Sequence, residues 1–148
     1  MPELDQEIQR YLSIRECEET ILRFTAHFDA AEFAEMERYF AQDGVWKRHE
    51  GDVCGVDALR ERMAERKADR IMRHVITNIR TRLHSADHAT VESYVTLYMH
   101  IYGSAALSAP APLDGPVVVG RYKDELRRID GRWMIQVRHP IHDFKAKA

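Results

Sequence analysis

The amino-acid sequence predicts an α+β domain in which helices come first and a run of antiparallel strands follows. Three observations carry that reading. Apolar residues recur at three- and four-residue steps through the first forty positions, the period changes to two from Met72 onward, and Asp130-Gly131 separates the last two alternating stretches as a hairpin turn would. Helices followed by strands in this order stack on one face of a bent sheet.

The first helix is read from Ile8, Tyr11, Ile14, Cys17, Ile21, Phe24 and Phe28, which form one stripe, with Glu16, Glu18, Glu19 and Arg23 on the other face. Asp29-Ala30-Ala31-Glu32 has the form of a capping box and is expected to open a second helix whose apolar side is Phe33, Met36 and Phe40. Asp43-Gly44 interrupts that pattern, and Val45-Trp46-Lys47 starts a short strand. After the turn residues Gly51, Asp52 and Gly55, a third helix runs from Val56 to about Lys67, with Arg60, Arg62, Arg66 and Lys67 on a solvated face. Strands are expected from about Arg73 to Leu83, Ala89 to Tyr102, Val117 to Ile129 and Trp133 to Asp143. The Ala- and Pro-rich link from Gly103 to Pro116 is long enough to be a flexible loop or a lid.

Composition narrows the class. The 148 residues are of single-domain length, so one domain is expected over residues 1–148. Twenty-two Lys+Arg against 24 Asp+Glu leave a net charge of −2, which argues against a domain that coats nucleic acid. A hydrophobic share of 45% excludes disorder as the overall description. No apolar run approaches the roughly 20 residues a membrane helix needs, and the first residues lack the basic and apolar regions of a signal peptide, so no membrane partner and a cytoplasmic location are expected. Cys17 and Cys54 stand in no disulfide or metal-ligand spacing, and no phosphate-binding glycine loop or nucleophile elbow is present. Neither a metal nor an organic cofactor is expected.

Several polar residues have both a structural and a chemical reading. Asp29 is either the N-cap of the second helix or a carboxylate waiting for a partner from elsewhere in the chain. His74 opens a strand on the parity of Ile76 and Asn78, where a histidine is either a hydrogen-bonded core residue or a functional base. His100 shares its parity with Tyr94, Tyr98 and Tyr102, a row of polar-tipped rings that suits an aromatic pocket wall or a subunit interface. Arg138, on the last strand, faces solvent or binds an anion inside a cavity.

A resemblance sharpens these alternatives. The segments Phe28-Asp29, Tyr39-Phe40, Asp43-Gly44-Val45-Trp46, Gly55-Val56-Asp57-Ala58-Leu59, Arg73 to Ile79, Gly120 to Leu126 and Asp130-Gly131-Arg132-Trp133, in this order and spacing, resemble the SnoaL-like branch of the nuclear transport factor two-like superfamily. The resemblance implies a cone-shaped fold, three N-terminal helices packed in a strongly curved antiparallel sheet with a mixed edge and a pocket at the wide end. Within the superfamily the motifs are most similar to scytalone dehydratase and hexachlorocyclohexane dehydrochlorinase. That likeness implies that Asp29 orients His74 as a general base, that His100 belongs to the pocket and that Arg138 assists a leaving group. Two positions depart from those enzymes, since Phe28 stands where the dehydratase has a tyrosine and Phe24 where the dehydrochlorinase has a lysine.

The expectation is therefore a cofactor-independent lyase or isomerase acting on a small hydrophobic, cyclic or aromatic substrate. His74 and Asp29 would be catalytic, and His100, Arg138, Tyr122, Trp46, Phe24, Phe28 and Asn78 would bind substrate. The competing readings are a ligand-binding domain without catalysis and a structural subunit like the small subunit of ring-hydroxylating dioxygenases. Tyr94 and Tyr98 alternate with Leu97, which makes the sheet apolar on both faces and predicts a homodimer or homotrimer through the outer one.

Overall fold

The computed structural model describes residues 1–147. Helix α1 (Pro2–Ala30) buries Cys17, Thr20, Ile21, Phe24 and Thr25, a stripe of three- and four-residue steps. Its first three turns are exposed, Leu4, Ile8, Tyr11 and Leu12 included. The helix ends at Ala31 in the left-handed region (φ 59°, ψ 29°), where the Glu32 amide donates back to the His27 carbonyl at 2.9 Å.

This ending corrects the expected capping box. Asp29 lies in the last turn of α1 rather than before a second helix, and α2 (Phe33–Met36) is one turn long with no side-chain cap. A short 3-10 turn (Glu37–Tyr39) follows, and Phe40 already belongs to strand β1 (Phe40–Trp46), with Asp43-Gly44 inside it. The remaining elements are β2 (Val53–Cys54), α3 (Gly55–Ala64), β3 (Arg70–Leu83), β4 (His88–Ile101), β5 (Val118–Ile129) and β6 (Arg132–Lys145). The long strands match their expected spans to within a few residues. The β5–β6 turn has both residues at positive φ, Asp130 at 50° and Gly131 at 78°, as a two-residue hairpin of the primed type requires. Among the described residues no helix is long and apolar enough to cross a membrane.

The six strands form one open sheet in the order β2-β1-β6-β5-β4-β3, with β1 parallel to β6 and every other pair antiparallel. Bulges between Thr77 and Arg80, between Glu125 and Leu126 and between Val119 and Gly120 bend it. The concave face receives α1 and α3 over a core that includes Ile21, Phe24, Phe40, Leu59, Val91 and Ile135. The bulge in β3 changes which residues face inward. Its Asn78 adopts a left-handed conformation (φ 53°) and is exposed. Met72, His74 and Ile76 are the more buried set before it, and Ile79, Thr81 and Leu83 after it. An uninterrupted period of two put Asn78 beside His74; the extra residue removes it from that face.

The largest fully buried side chain is Arg138, on β6. Its Nε and Nη2 donate to the two carboxylate oxygens of Asp124 at 2.9 and 3.0 Å, and Nη1 reaches Thr25 Oγ1 at 3.4 Å. The guanidinium carbon lies 4.1 Å from the Tyr122 ring centroid and 4.9 Å from that of Phe24. Two charges this deep are tolerated because each satisfies the other's hydrogen bonds. Asp124→Ala strands the guanidinium and is expected to cost about 3–5 kcal/mol in urea unfolding, whereas Asp124→Leu combined with Arg138→Met should recover most of that loss. Equal destabilisation by the single and the double change would show that packing, not charge, dominates there.

Candidate active site

The left-handed turn at Ala31 leaves the last turn of α1 facing the start of β3, and Asp29 meets His74 there. Asp29 Oδ1 lies 2.5 Å from His74 Nδ1, and Oδ2 accepts the backbone amide of His74 at 2.7 Å. One carboxylate thus holds both the ring and the peptide that carries it, which leaves the imidazole little rotational freedom. The side chains are 7% and 11% exposed for His74 and Asp29, so the contact is shielded from competing water. Nδ1 donates to an ionised carboxylate, so a neutral His74 carries its proton on Nδ1 and presents a lone pair on Nε2. No hydrogen bond from the described residues occupies Nε2. The arrangement can accept a proton at Nε2 and stabilise the resulting imidazolium through Asp29, an effect that the negative end of the helix dipole reinforces.

Rings pave one side of this contact. The Phe28 ring lies 5.5 Å from that of His74 and 5.4 Å edge-on from Trp46, which in turn meets Phe24 at 5.7 Å. Tyr122 faces inward from β5, paired across the ladder with Ser93. Burial pushes its phenol up to about 12, with the Arg138 charge opposing, so the hydroxyl is a proton donor at neutral pH. Next to Phe28 a cleft of about 350 Å³ opens between α3 and the start of β3, lined by Phe28, Met63 and Met72 and by the cations Arg48, Arg62 and Arg66. Its volume is in the range of small-molecule sites. Phe28 is the cleft's link to the dyad, since neither Asp29 nor His74 lines it or the second recess, of about 430 Å³, beside Trp133 around earlier turns of α1.

The expected site residues thus divide. Asp29, His74, Phe28 and Trp46 come together, and Tyr122 is buried against Arg138. Phe24 is fully buried beneath the ring cluster and supports it without lining a cavity. Arg138 is just as deep, and both oxygens of Asp124 occupy its fork, so it is not free to receive an anion. His100 pairs with Ile71 across the β3–β4 ladder while His74 pairs with Leu97, so the alternation of the strand puts His100 on the outer face with Tyr94 and Tyr98. It takes no part in the pocket. Asn78 is likewise outside, at the bulge.

Sequence reasoning missed three residues. Asp124 sits on the parity of Tyr122 and Leu126, where a charge among inward residues is a legible signal for a buried partner. Arg48 lies with its guanidinium carbon 5.0 Å from the Trp46 ring centroid. Arg66, expected on a solvated face, folds back over Phe28 and Phe33 at 5.0 and 5.4 Å and donates to the Phe28 carbonyl at the end of α1. Spacing alone could not reveal either arginine, because the helix stops at Ala64 and both lie beyond regular structure.

With this geometry in place, comparison with known proteins has a definite object. The family model of the SnoaL-like domain matches residues 9–139. The chain belongs to the SnoaL-like domain family. The fold is shared with a candidate scytalone dehydratase from Novosphingobium aromaticivorans, at 20% identity over 96% of this chain and 94% of that one, with a TM-score of 0.78. It is shared also with a type 2 hexachlorocyclohexane dehydrochlorinase, at 15% identity over 95% and 91% of the two chains and a TM-score of 0.77. A ketosteroid isomerase-like protein from Erwinia carotovora atroseptica matches at 17% identity over 88% of this chain and 96% of that one, with a TM-score of 0.68. At these identities the likeness establishes the nuclear transport factor two-like cone fold. No curated protein sequence matches this SnoaL-like domain at a significant level.

The tautomer is directly measurable. In ¹⁵N-labelled protein at alkaline pH, the His74 ring should show a protonated Nδ1 and a bare Nε2. Asp29→Asn, whose amide oxygen still accepts one bond but carries no charge, should weaken that preference. A bare Nδ1 in the unsubstituted protein would contradict the hydrogen bond described above.

Proposed function

We propose that this SnoaL-like domain is a cofactor-independent lyase or isomerase that removes a proton from carbon, with His74 as general base and Asp29 as its orienting carboxylate. The observation that carries the reading is the two-point hold of Asp29 on His74, which leaves Nε2 unpartnered beside an aromatic wall. A domain that merely bound ligands would have no need of a shielded, charge-backed imidazole. Fold relatives described as a dehydratase, a dehydrochlorinase and an isomerase support the same class of chemistry.

In the proposed step the C–H bond breaks and its proton goes to Nε2. In an elimination the electron pair forms a C=C bond and expels a leaving group from the neighbouring carbon, and the imidazolium then returns the proton to that group, so water or hydrogen halide departs. In an isomerisation the imidazolium returns the proton to a different carbon. Neither course consumes an oxidant or a reductant. A positioned general base contributes about 10²–10⁴ in rate. Tyr122, held protonated by burial, supplies a hydrogen bond to the developing oxyanion or leaving group. The substrate's apolar part lies against Phe28, Trp46 and Met72.

His74→Ala should lower turnover at least about 10²-fold in an elimination screen over cyclic hydroxy-ketones and halides. Asp29→Asn should also lower it, in a protein that stays folded but melts a few degrees lower because one of the two bonds to His74 is lost, and Tyr122→Phe should lower kcat more than it raises KM. Full activity in Asp29→Asn would sink the dyad, whatever the separation of the two side chains.

The oligomer extends this proposal. The outer sheet face exposes Val75 (44%), Tyr94 (47%) and Phe144 (70%), and the same face carries Arg73, Arg80 and Lys123 as well as Glu92 and Glu125. Apolar rings with both signs of charge around them make a self-complementary surface, which a two-fold pairing of identical copies requires. A homodimer through this face is proposed, with a homotrimer as the other outcome. Light scattering at tens of micromolar should show it, and Tyr94→Arg should shift the protein to monomer. A monomeric parent protein would count decisively against the interface.

A further inference from the structure

The cleft beside the dyad has a charge imbalance that abstraction of a proton from a neutral hydrophobic molecule does not call for. Its lining holds five cations, Arg48, Arg62, Arg66, Lys67 and Arg70, against two carboxylates, Glu50 and Glu65. The cations are not equally free. Arg70 is held by Asp69 at 2.7 Å, and Arg62 lies 3.7 Å from Glu65. Arg48 has only Glu50, at 3.5 Å, a side chain that is 66% exposed and easily displaced. Arg66 has no carboxylate within 4.0 Å among the described residues, and its one hydrogen bond goes to a backbone carbonyl.

Both free arginines are fixed in orientation. The guanidinium of Arg48 is stacked on Trp46 and that of Arg66 on Phe28 and Phe33. Stacking on rings holds the plane of a guanidinium while leaving its N–H edge for a planar anion, at low cost in side-chain order. Burial lowers both arginines from their ordinary value, more than the nearby acids raise them. They stay charged and half-buried, and a cation partly withdrawn from water gains more from an anionic partner than a fully solvated one. The apolar floor between them is Phe28, Met63 and Met72, and Phe28 is the ring that also touches His74.

We infer that the substrate carries a carboxylate, bound between Arg48 and Arg66 at the mouth of the cleft, with its apolar body on Phe28 and Met72 and its reacting carbon toward His74. The inference rests on the reading of His74 as the base but is tested apart from it, by binding alone. An uncharged ligand would leave two half-buried guanidinium groups without an anionic partner. A carboxylate can pair with both forks while the ligand's apolar body lies on Phe28, whose ring centroid is 5.5 Å from that of His74.

The test uses 2-naphthoate and its uncharged analogue 2-naphthamide, titrated calorimetrically at low salt. Naphthoate should bind at least tenfold more tightly than naphthamide, and the preference should shrink at 0.5 M salt. Arg48→Gln should cut the preference severalfold, and Arg48→Gln with Arg66→Gln should abolish it while naphthamide binding stays the same. Arg66 also braces the end of α1, so Arg66→Lys, which keeps the charge, should retain part of the preference and so separates charge from bracing. His74→Gln should bind both probes as the parent does. If it does while keeping full turnover, the base reading fails and the anion site stands. Equal affinity for the two probes, no naphthoate binding at millimolar concentration, or a preference that survives in the double variant would overturn the inference.

Discussion

The carboxylate of Asp29 joins the end of the longest helix to the edge strand of the sheet, and much of the domain's geometry depends on that join. β3 has a neighbour on one side only, so its free side must be held by something other than a ladder. Asp29 does so through the amide and the ring of the same residue, His74. The join needs α1 to stop one residue later, which it does through a left-handed Ala31, a conformation that costs a non-glycine residue about 1 kcal/mol. That strain is offset by the bond from the Glu32 amide to the His27 carbonyl and by Arg66 on the Phe28 carbonyl. A helix terminus, a sheet edge and the segment after α3 are thereby brought to one point, and the polar side chains gather where they meet.

Two acid–base pairs lie inside this domain, and their surroundings give them different roles. Asp124 and Arg138 are each about 1% exposed, satisfy one another in a two-bond fork and are enclosed by Phe24, Tyr122 and Thr25. Nothing is left over on that pair for a substrate, so it acts as a pillar between β5, β6 and α1. Asp29 and His74 lie nearer the surface, and the ring keeps one nitrogen unused. A residue type placed at the end of a strand does not decide between pillar and reagent; the number of unspent donors and acceptors does. By that criterion the histidine, and not the arginine, is the group with capacity left for the reaction proposed for this SnoaL-like domain.

The fold class was legible in the sequence because it rests on patterns that local physics keeps, whereas the pairing of Asp29 with His74 came only from the family resemblance. The helical stripe from Cys17 to Phe28, the change of period at β3 and the Asp130-Gly131 turn each follow from backbone geometry within a few residues. What escaped depended on single insertions in a strand or on chain beyond regular structure. One extra residue at Asn78 carried it off the face of His74, and the capping-box spacing at Asp29 matched a motif whose acceptor was already committed to a distant amide. His100 was drawn into the pocket by resemblance, while its parity with Tyr94 and Tyr98 suited an outer face as well as a pocket wall. Arg48 and Arg66 follow the last regular residues of β1 and α3, where no period indicates direction.

The order of charges away from α1 bears on which reactions the proposed site favours. Asp29 lies on one side of the imidazole, while Phe28 separates that ring from the guanidinium of Arg66 and Arg48 lies beyond Trp46. In the proposed reaction, a carbon that loses its proton to Nε2 would become electron-rich between a new imidazolium and a cleft lined by two half-buried arginines. The one carboxylate of the dyad is screened from that space by the ring it orients. Developing negative charge on the substrate is therefore met by cations from both directions, and low hydration keeps those interactions strong. The reverse polarity, a carbocation forming beside the same ring, would face an excess of cations, with Glu50 and Glu65 the carboxylates of the cleft. Chemistry that passes through an enolate or a carbanion-like transition state fits this arrangement, and chemistry that begins with departure of the leaving group does not.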